Sequence, residues 1–239
     1  MLLCFDHRHA KLSLTEVARL TGYTPAAARR FLRTLEVLGY LNSDGKRFWV
    51  APRTLLLSRP YLASRAAPQV AQPILDKLAE RTRQSASIGV LLDTEVLIIA
   101  RSTGRRTLST GLGIGSTLPV FCSAIGRAVL SKMTAEEVVD RLAATPMSKW
   151  TPNTVDDIES AVRSVERCRT NGWAECDEEL EMGVRSLALP ITNANDRAIA
   201  AVSLSVRAER MTMDAFRLAH LSAIEEARDD LIKSKVIFD

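Results

Sequence analysis

The sequence has no apolar run of about 18 residues, the length that a membrane-spanning helix requires. Its N-terminal segment, MLLCFDHRH, is too short and becomes charged too soon to act as a signal peptide. These two absences predict a cytoplasmic protein without a membrane partner. The 239 residues, of which 46% are hydrophobic and 25% charged, are enough for one large or two modest globular domains.

Cysteine and histidine are scarce and widely spaced. The four cysteines form no close CxxC pair, and the three histidines do not complete a zinc-binding pattern. We therefore expect reduced cysteines and no metal or other cofactor. The sequence also lacks the G-x-S-x-G motif of serine hydrolases and the glycine pattern of nucleotide-binding loops. Since His220 is the only histidine in the second half, an enzyme is not expected.

Positive charge is concentrated in the N-terminal quarter of the chain. Residues 1–64 contain ten Lys or Arg against four Asp or Glu, a net charge of +6. Residues 65–239 contain 22 against 24, a net charge of −2. A small basic module joined to a nearly neutral one predicts a polyanionic partner for the first part only.

Two short helices are predicted in the basic module. Residues 13–16, SLTE, form a capping box that begins the first helix, and Gly22 ends it. Thr24 and Pro25 then begin the second helix, which is typical helix-turn-helix spacing. One face of the second helix carries the side chains expected in the core, namely Ala28, Phe31, Leu32, Leu35 and Leu38.

The opposite face of the second helix is suited to DNA. At about 100° per residue, Ala26, Arg30 and Arg33 fall together, with Ala27 and Arg29 at the flanks. The alanines keep the helix slim enough for a major groove, where arginines reach phosphates or guanine edges. A hairpin with an Asp-Gly turn follows in the position of a basic wing. The predicted DNA-binding residues are Ser13, Thr24, Ala26, Ala27, Arg29, Arg30, Arg33, Lys46 and Arg47.

The rest of the chain predicts a helical linker and a mixed α+β domain. Two strand patterns and a third candidate strand at 107–112 precede three helices, two more strands and a closing helix at 212–235. We place a winged helix-turn-helix DNA-binding domain at 1–52, linker helices at 53–77, and an effector-binding and oligomerisation domain at 78–239.

Four segments, in order along nearly the whole chain, resemble the IclR family of transcriptional regulators. They are LSLTEVARLTGYTPAAARRFLRTLEVLGYL, LPVFCSAIGRAVLS, NGWAECDEELEMGVRSLALPI and AAVSLSV. A further stretch, TGRRTLSTGLGIGSTLP, is similar to the branch that regulates protocatechuate, p-hydroxybenzoate and β-ketoadipate catabolism. The resemblance implies a GAF-like α/β effector-binding domain, dimerisation through the linker helix, often a dimer of dimers, and no enzyme activity.

The resemblance also implies a full helix before the capping box. This sequence has only MLLCFDHRHAKL there, enough for about two helical turns. We therefore expect either a shortened first helix or a natural start upstream of Met1.

The resemblance places the effector pocket between the sheet and residues 121–126. Backbone amides at the start of the helix near Ser123 suit a carboxylate, and Ser203 and Ser205 lie on one side of a strand. Relatives often carry an acidic residue at the position of Cys176, so a more apolar pocket for an aromatic or longer acid is expected. The implied effector-binding residues are Cys122, Ser123, Ala124, Ile125, Cys176, Asp177, Ser186, Ser203 and Ser205.

Three arginines of the second domain are further candidates to bind a carboxylate through two parallel hydrogen bonds. If they pair with Glu178 or Glu179 they are structural instead, and structural pairing is favoured for Arg185. The three are Arg101, Arg127 and Arg185.

The expected function is sequence-specific binding of double-stranded DNA under the control of a small carboxylic acid, aromatic or dicarboxylic. The effector would favour one packing of the large domain and so bias the spacing of paired recognition helices, which predicts a near-palindromic operator. Two alternatives stay open: a large domain that only oligomerises, and an enzyme. The enzyme would use Cys122 or Ser123 as nucleophile and the acidic residues 177–179 for proton transfer.

Overall fold

The computed structural model describes residues 1–6, 9–64, 66–104 and 112–234. The chain divides into two compact units, Met1–Arg65 and Ala66–Asp239. The division falls inside the linker that we place at residues 53–77, so the linker helices are shared between the two units.

The first unit opens with the predicted capping box. Ser13 Oγ accepts a hydrogen bond from the Glu16 N–H at 3.4 Å, and Glu16 Oε2 accepts one from the Ser13 N–H at 2.7 Å. These bonds begin helix α1 (Leu14–Thr21) by satisfying two backbone N–H groups. Gly22 ends α1 at a φ of 70°, in the left-handed region that favours glycine.

Helix α2 (Pro25–Val37) is the predicted second helix, and Thr24 caps its start. Ala28 and Leu32 are fully buried, as its apolar face predicts. The prediction is wrong for Phe31 and Leu38, which are each 49% exposed. They lie at the edges of that face. Phe31 packs instead against Tyr23, in the preceding turn, with 5.5 Å between the ring centroids.

The predicted wing hairpin is present. Asp44 Oδ1 accepts hydrogen bonds from the backbone N–H groups of Lys46 and Arg47, which closes the turn. A third short strand, missing from the sequence prediction, pairs antiparallel with the hairpin and gives the order β1-β3-β2. The three strands are β1 (Leu12–Ser13), β2 (Leu41–Ser43) and β3 (Arg47–Val50).

The segment before the capping box differs from the expected two helical turns. Its described residues, 1–6 and 9–12, contain one three-residue 3-10 helix, Leu2–Cys4. Leu2 and Phe5 nevertheless pack, half-buried, against the core of this unit. That core consists of Leu12, Val17, Leu32, Leu41 and Phe48. The support behind α2 is therefore a short apolar segment rather than a full helix.

The linker region is helical in three pieces. A 3-10 helix, Pro52–Leu57, is followed by α3 (Arg59–Ser64) in the first unit. Helix α4 (Ala66–Thr82) opens the second unit and contains Pro73. None of the helices in the described ranges combines the length and the apolar content that crossing a membrane requires.

The second unit is a six-stranded antiparallel sheet with helices on both faces. The strand order is β6-β5-β4-β9-β8-β7. Helices α4 and α8 contact one face, and α5, with α6 and α7 behind it, covers the other. The elements are β4 (Ser85–Leu92), β5 (Glu95–Ser102), β6 (Thr117–Pro119), α5 (Ala124–Leu130), α6 (Ala135–Ala143), α7 (Ile158–Asn171), β7 (Ala174–Asp177), β8 (Val184–Thr192), β9 (Ala198–Arg207) and α8 (Met213–Lys233).

The order of elements confirms the predicted α+β class. Strands β6 and β7 were not predicted, because each is only three or four residues long. The candidate strand at 107–112 falls almost entirely on residues 105–111, which lie outside the described residues. The main core lies between the sheet and α5 to α7, where Phe121, Leu130 and Leu142 are fully buried.

Candidate functional site

The outer face of α2 presents cationic side chains that the protein does not neutralise. Arg29 and Arg30 are exposed, and neither forms an ion pair with any described residue. Arg33 differs, because its guanidinium binds Glu36 at 2.6 Å. Ala26 is exposed beside them, so the two free guanidinium groups meet no bulky neighbour on this side of the helix.

The remaining predicted DNA-binding residues flank this face. The Oγ of Thr24 accepts a hydrogen bond from the Ala27 N–H at 3.3 Å and so holds the helix start. Lys46 and Arg47 are exposed on the wing. The Ser13 hydroxyl donates to Glu16 Oε2 at 2.7 Å, so it is already engaged in the cap.

A cavity lies in the second unit, between α5 and the sheet face that α5 covers. It is a narrow cleft with about 40 Å³ of accessible space, partly open to solvent, and its walls lie close together. Seven of the nine residues implied by the family resemblance line it. The complete lining is Ser87, Ile98, Arg101, Leu112, Leu118, Ser123, Ala124, Ile125, Cys176, Leu180, Glu181, Val184, Ser186, Ser203 and Ser205.

The sheet side of the cavity carries two polar rows that cross neighbouring strands. Arg101 lies opposite Ser87, which lies opposite Ser203. In the second row, Ser205 lies opposite Ser186, and their hydroxyl oxygens are 3.0 Å apart. Side chains directly opposite one another project from the same face of a sheet, so all five polar groups face the cavity.

The helix side of the cavity is formed by the start of α5, which Ser123 caps. Ser123 Oγ accepts from the Gly126 N–H at 3.2 Å and donates to the Pro119 carbonyl at 2.6 Å. Its hydroxyl is thus fully engaged in starting α5, which is only seven residues long.

Two residues of the implied pocket, Cys122 and Asp177, lie outside the cavity. Cys122 is buried in the core, where its carbonyl accepts from Cys176 Sγ at 3.1 Å. Asp177 follows Cys176 on β7 and therefore points to the opposite face, where it binds Arg185 Nε at 2.7 Å. Burial raises the pKa of Cys122 to about 12 and that of Cys176 to about 11, so both are neutral thiols at neutral pH.

The three candidate arginines have three different environments. Arg127 is buried and binds both carboxylate oxygens of Glu179, at 2.5 and 2.6 Å. Burial disfavours its charge, but Glu179 outweighs that effect and the pKa of Arg127 is raised. Arg185 pairs with Asp177 and Glu178, as favoured from the sequence. These two arginines are structural.

Arg101 is the only one of the three that lines the cavity. Its Nη1 donates to Ser87 Oγ at 2.9 Å, and burial lowers the pKa of its guanidinium. A β-bulge in the β4–β5 pairing changes the alternation of β5, so Ile98 and Arg101 both reach the cavity although they are three residues apart. The sequence shows the arginine but does not show the bulge that places it.

The β7–β8 connection and the first residue of β8 supply a part of the wall that the sequence did not predict, namely Leu180, Glu181 and Val184. Glu179 fixes this connection to α5 through Arg127. Elsewhere, no group of three or more His, Cys, Asp or Glu side chains within the described ranges is arranged to hold a metal ion.

Both units match families of known proteins. Residues 1–45 match the IclR helix-turn-helix domain, and residues 60–231 match the bacterial transcriptional regulator IclR C-terminal domain. The Pca regulon regulatory protein of Pseudomonas putida is 33% identical over 97% of this chain and 80% of its own length. The p-hydroxybenzoate hydroxylase transcriptional activator of Acinetobacter baylyi is 32% identical over 88% of this chain and 80% of its own length.

Solved structures agree with these matches. One is the inducer-binding domain of the Acinetobacter transcription factor PobR, a double mutant in complex with 3-hydroxybenzoic acid. It is 27% identical, covers 69% of this chain and 97% of that chain, and superposes with a TM-score of 0.64. The matched relatives are regulators rather than enzymes, which confirms that expectation for this chain. With a winged helix-turn-helix followed by an effector domain, the chain belongs to the IclR family of DNA-binding transcriptional regulators.

Proposed function

We propose that this regulator senses a small carboxylic acid in the cavity of its second unit. The observation that carries the proposal is the sheet wall of the cavity, where one arginine and four serine hydroxyls face a mostly apolar opposite wall. Apolar pockets with a few convergent polar groups are the usual form of small-ligand sites. The acid-linked names of the relatives support an aromatic acid, because those relatives share about a third of this sequence.

The DNA contacts are assigned to the outer face of α2 and to the wing. Arg30 would reach base edges, and Arg29, at the side of the helix, would reach phosphate. The first-turn amides and Thr24 are suited to a second phosphate. Lys46 and Arg47 would follow the backbone beyond the groove. Since a protein that makes these contacts acts on the chromosome, we propose a cytoplasmic location.

A dimer is proposed because the linker carries an uncovered apolar segment. Leu55, Leu56 and Leu57 are 76%, 54% and 52% exposed. A second copy of the same segment would bury them and pair two recognition helices, so the operator would be a near-palindrome. Two such dimers would form the tetramer expected from the resemblance.

Cavity and linker are connected through β5. Gln72 on α4 donates its Nε2 to the Arg101 carbonyl at 3.2 Å. Because the walls of the cavity lie close together, an entering acid must move them apart. Such a movement of β5 would be transmitted to α4, which begins where the second unit begins. The effector would then shift the population of linker arrangements and with it the affinity for DNA.

Isothermal titration calorimetry of the full chain tests the proposal directly. The panel contains aromatic monocarboxylic acids and aliphatic dicarboxylic acids, and the expected result is saturable binding of at least one acid. If no acid binds, the acid-sensor proposal is wrong, and the alternative of a second domain that only oligomerises gains support. Light scattering of the same samples reports whether dimers or tetramers are present.

A further inference from the structure

We propose that Lys11, immediately before β1, is a further DNA-contacting residue, which the ring of Trp49 holds over the wing so that its ammonium can bind a phosphate. The inference rests on the proposed DNA contacts of the wing, and it extends them from the hairpin to the neighbouring strand. A contact to phosphate carries no sequence information, so Lys11 would strengthen binding to any DNA duplex.

Lys11 and Trp49 face each other across the small sheet of the first unit. Ser13 pairs with Arg47, and the same antiparallel register places Lys11 opposite Trp49. The Lys11 ammonium lies 4.4 Å from the centre of the Trp49 ring. A cation within about 6 Å of the centre of a tryptophan ring is attracted to the face of that ring. The ring therefore holds a side chain that would otherwise move freely in solvent.

The Lys11–Trp49 pair lies on the outer face of the small sheet. Leu12 and Phe48 are buried in the core of the first unit, and side chains alternate between the two faces of a strand. Arg47 and Trp49 lie on either side of Phe48 in β3 and therefore point outward. Lys11 precedes Leu12 and points outward for the same reason. Diagonal neighbours on one face of a sheet are about 7–8 Å apart, so Lys11 lies next to Arg47.

The ammonium of Lys11 is directed toward the wing and not away from the sheet edge. Strand β1 is an edge strand, where an exposed lysine commonly serves only to prevent pairing with another sheet. Here the ammonium lies over a residue of the neighbouring strand β3 instead. Its charge also reaches the wing turn, because Lys11 adds to the lowering of the Asp44 pKa that the backbone N–H groups of Arg47 and Lys46 cause. Lys11 is therefore grouped with the cations of the wing.

The charges of the wing region suit the DNA backbone. Lys11, Lys46 and Arg47 are exposed, and none of them forms an ion pair with a described residue. Asp44 is engaged by the backbone N–H groups that close the turn. A lysine ammonium has three donors, and the ring occupies only the side that faces it. Since duplex DNA carries a negative charge about every 1.7 Å along its axis, each of the three cations can meet its own phosphate.

The salt dependence of DNA binding tests the Lys11 contact. The full chain is titrated with an operator selected from random DNA, and with an unrelated duplex, at several salt concentrations. Lys11→Gln should reduce the slope of log Kd against log salt concentration by about 0.9, the value for one phosphate contact. It should weaken binding of both duplexes by a similar factor, about 2- to 5-fold. Lys11→Arg should retain the wild-type slope, because the positive charge is kept.

Variants of Trp49 test whether the ring positions Lys11. Trp49→Leu should weaken DNA binding by a smaller factor than Lys11→Gln, since the charge remains but is no longer held. In the Lys11→Gln background it should cause no further loss, as expected when one residue acts through the other. Trp49→Phe keeps an aromatic ring and should retain most of the affinity. An equal loss from Trp49→Leu in both backgrounds would show that Trp49 does not act through Lys11. Thermal melting reports whether each variant is folded.

Lys149→Gln is the matched control, because it removes the same charge from an exposed lysine of the second unit. It should leave the slope unchanged, and an equal fall in slope for this variant would overturn the Lys11 contact. If Lys46→Gln and Arg47→Gln reduce the slope but Lys11→Gln does not, Lys11 only protects the sheet edge and the wing contacts stand. If none of these three variants reduces the slope, the inference and the proposed wing contacts are both overturned.

Discussion

Arginine side chains of the two units differ in what neutralises them. On α2, Arg29 and Arg30 are exposed and have no carboxylate partner among the described residues. In the second unit, Arg127 is buried against both oxygens of Glu179. Arg29 and Arg30 of the first unit are therefore available to bind a polyanion, whereas Arg127 of the second unit is neutralised by a carboxylate of the same unit.

Arg101 stands between these two extremes. It is partly buried like the structural arginines, but it lines the cavity, where its guanidinium donates to the Ser87 hydroxyl. An arginine that lines a cavity is a candidate to bind an anionic ligand there. The first three predictions below each change one kind of arginine, or a contact made by it, to test this difference.

The largest expected effect is on the stability of the second unit. Arg127→Met leaves the Glu179 carboxylate buried without its cation, so the free energy of unfolding should fall by about 3–5 kcal/mol. Urea denaturation followed by circular dichroism measures the loss. The paired variant, Arg127→Met with Glu179→Met, removes both charges and should recover most of the stability. Equal instability of the single and paired variants would show that the ion pair is not the cause.

The next largest effect is expected on the affinity for DNA, not on the stability of the fold. Arg30→Ala should weaken operator binding by about 1–3 kcal/mol and relax the preference at one base position, because a base-reading guanidinium is lost. Competition binding on a library of single-base operator variants measures both. Arg29→Ala is the matched control and should weaken all sequences equally. If Arg30→Ala also lowers every affinity by the same factor, then Arg30 contacts phosphate only.

A smaller effect is expected where the cavity meets the linker helix. Gln72→Ala removes the side-chain hydrogen bond from α4 to the Arg101 carbonyl. In this variant the effector should change the operator affinity by a smaller factor than in the wild-type chain. The reduction should be equivalent to about 0.5–2 kcal/mol, and the variant should remain folded. Fluorescence anisotropy with labelled operator, with and without saturating acid, gives that factor. An unchanged factor would mean that coupling runs through another contact.

The smallest effect is expected for Cys122 and Cys176, whose thiols should not react with an alkylating reagent at neutral pH. Since burial raises the thiol pKa of Cys122 to about 12 and of Cys176 to about 11, neither forms appreciable thiolate below about pH 9. Iodoacetamide should leave both unmodified in the native protein at pH 7 and modify them after denaturation, as peptide mass spectrometry would show. Rapid native modification of Cys122 would instead revive a nucleophilic role.

The helix-turn-helix was predictable because its signals are local in the sequence. The capping box, Gly22 and the Thr24-Pro25 start each act within a few residues, and all three appear in the structure. Phe31 lies at the edge of the apolar face, where helix periodicity alone does not separate buried from exposed residues, and its ring packs against Tyr23 of the preceding turn. Strand β1 was not predicted, because its two residues are a strand only through their pairing with β3 of the wing.

The cavity was predictable only in part. Residues on one strand follow simple alternation, which is why Ser203 and Ser205 share its wall. Arg101 required knowledge of the bulge in β5, and a bulge has no reliable sequence signal. The Arg127–Glu179 pair joins positions 52 residues apart, so sequence spacing cannot distinguish it from other acidic partners. Both Cys176 and Asp177 were assigned to the pocket from the sequence. Because neighbouring residues on a strand point to opposite faces, Asp177 points away from the cavity that Cys176 faces.

The most direct measurement is the affinity of the full chain for an operator selected from random DNA, titrated with 4-hydroxybenzoate. If the cavity ligand controls the DNA-binding unit, saturating acid should change the operator Kd by about 5- to 150-fold. An operator Kd that is identical with and without this acid, while calorimetry shows the acid bound, would contradict control of DNA binding through the cavity.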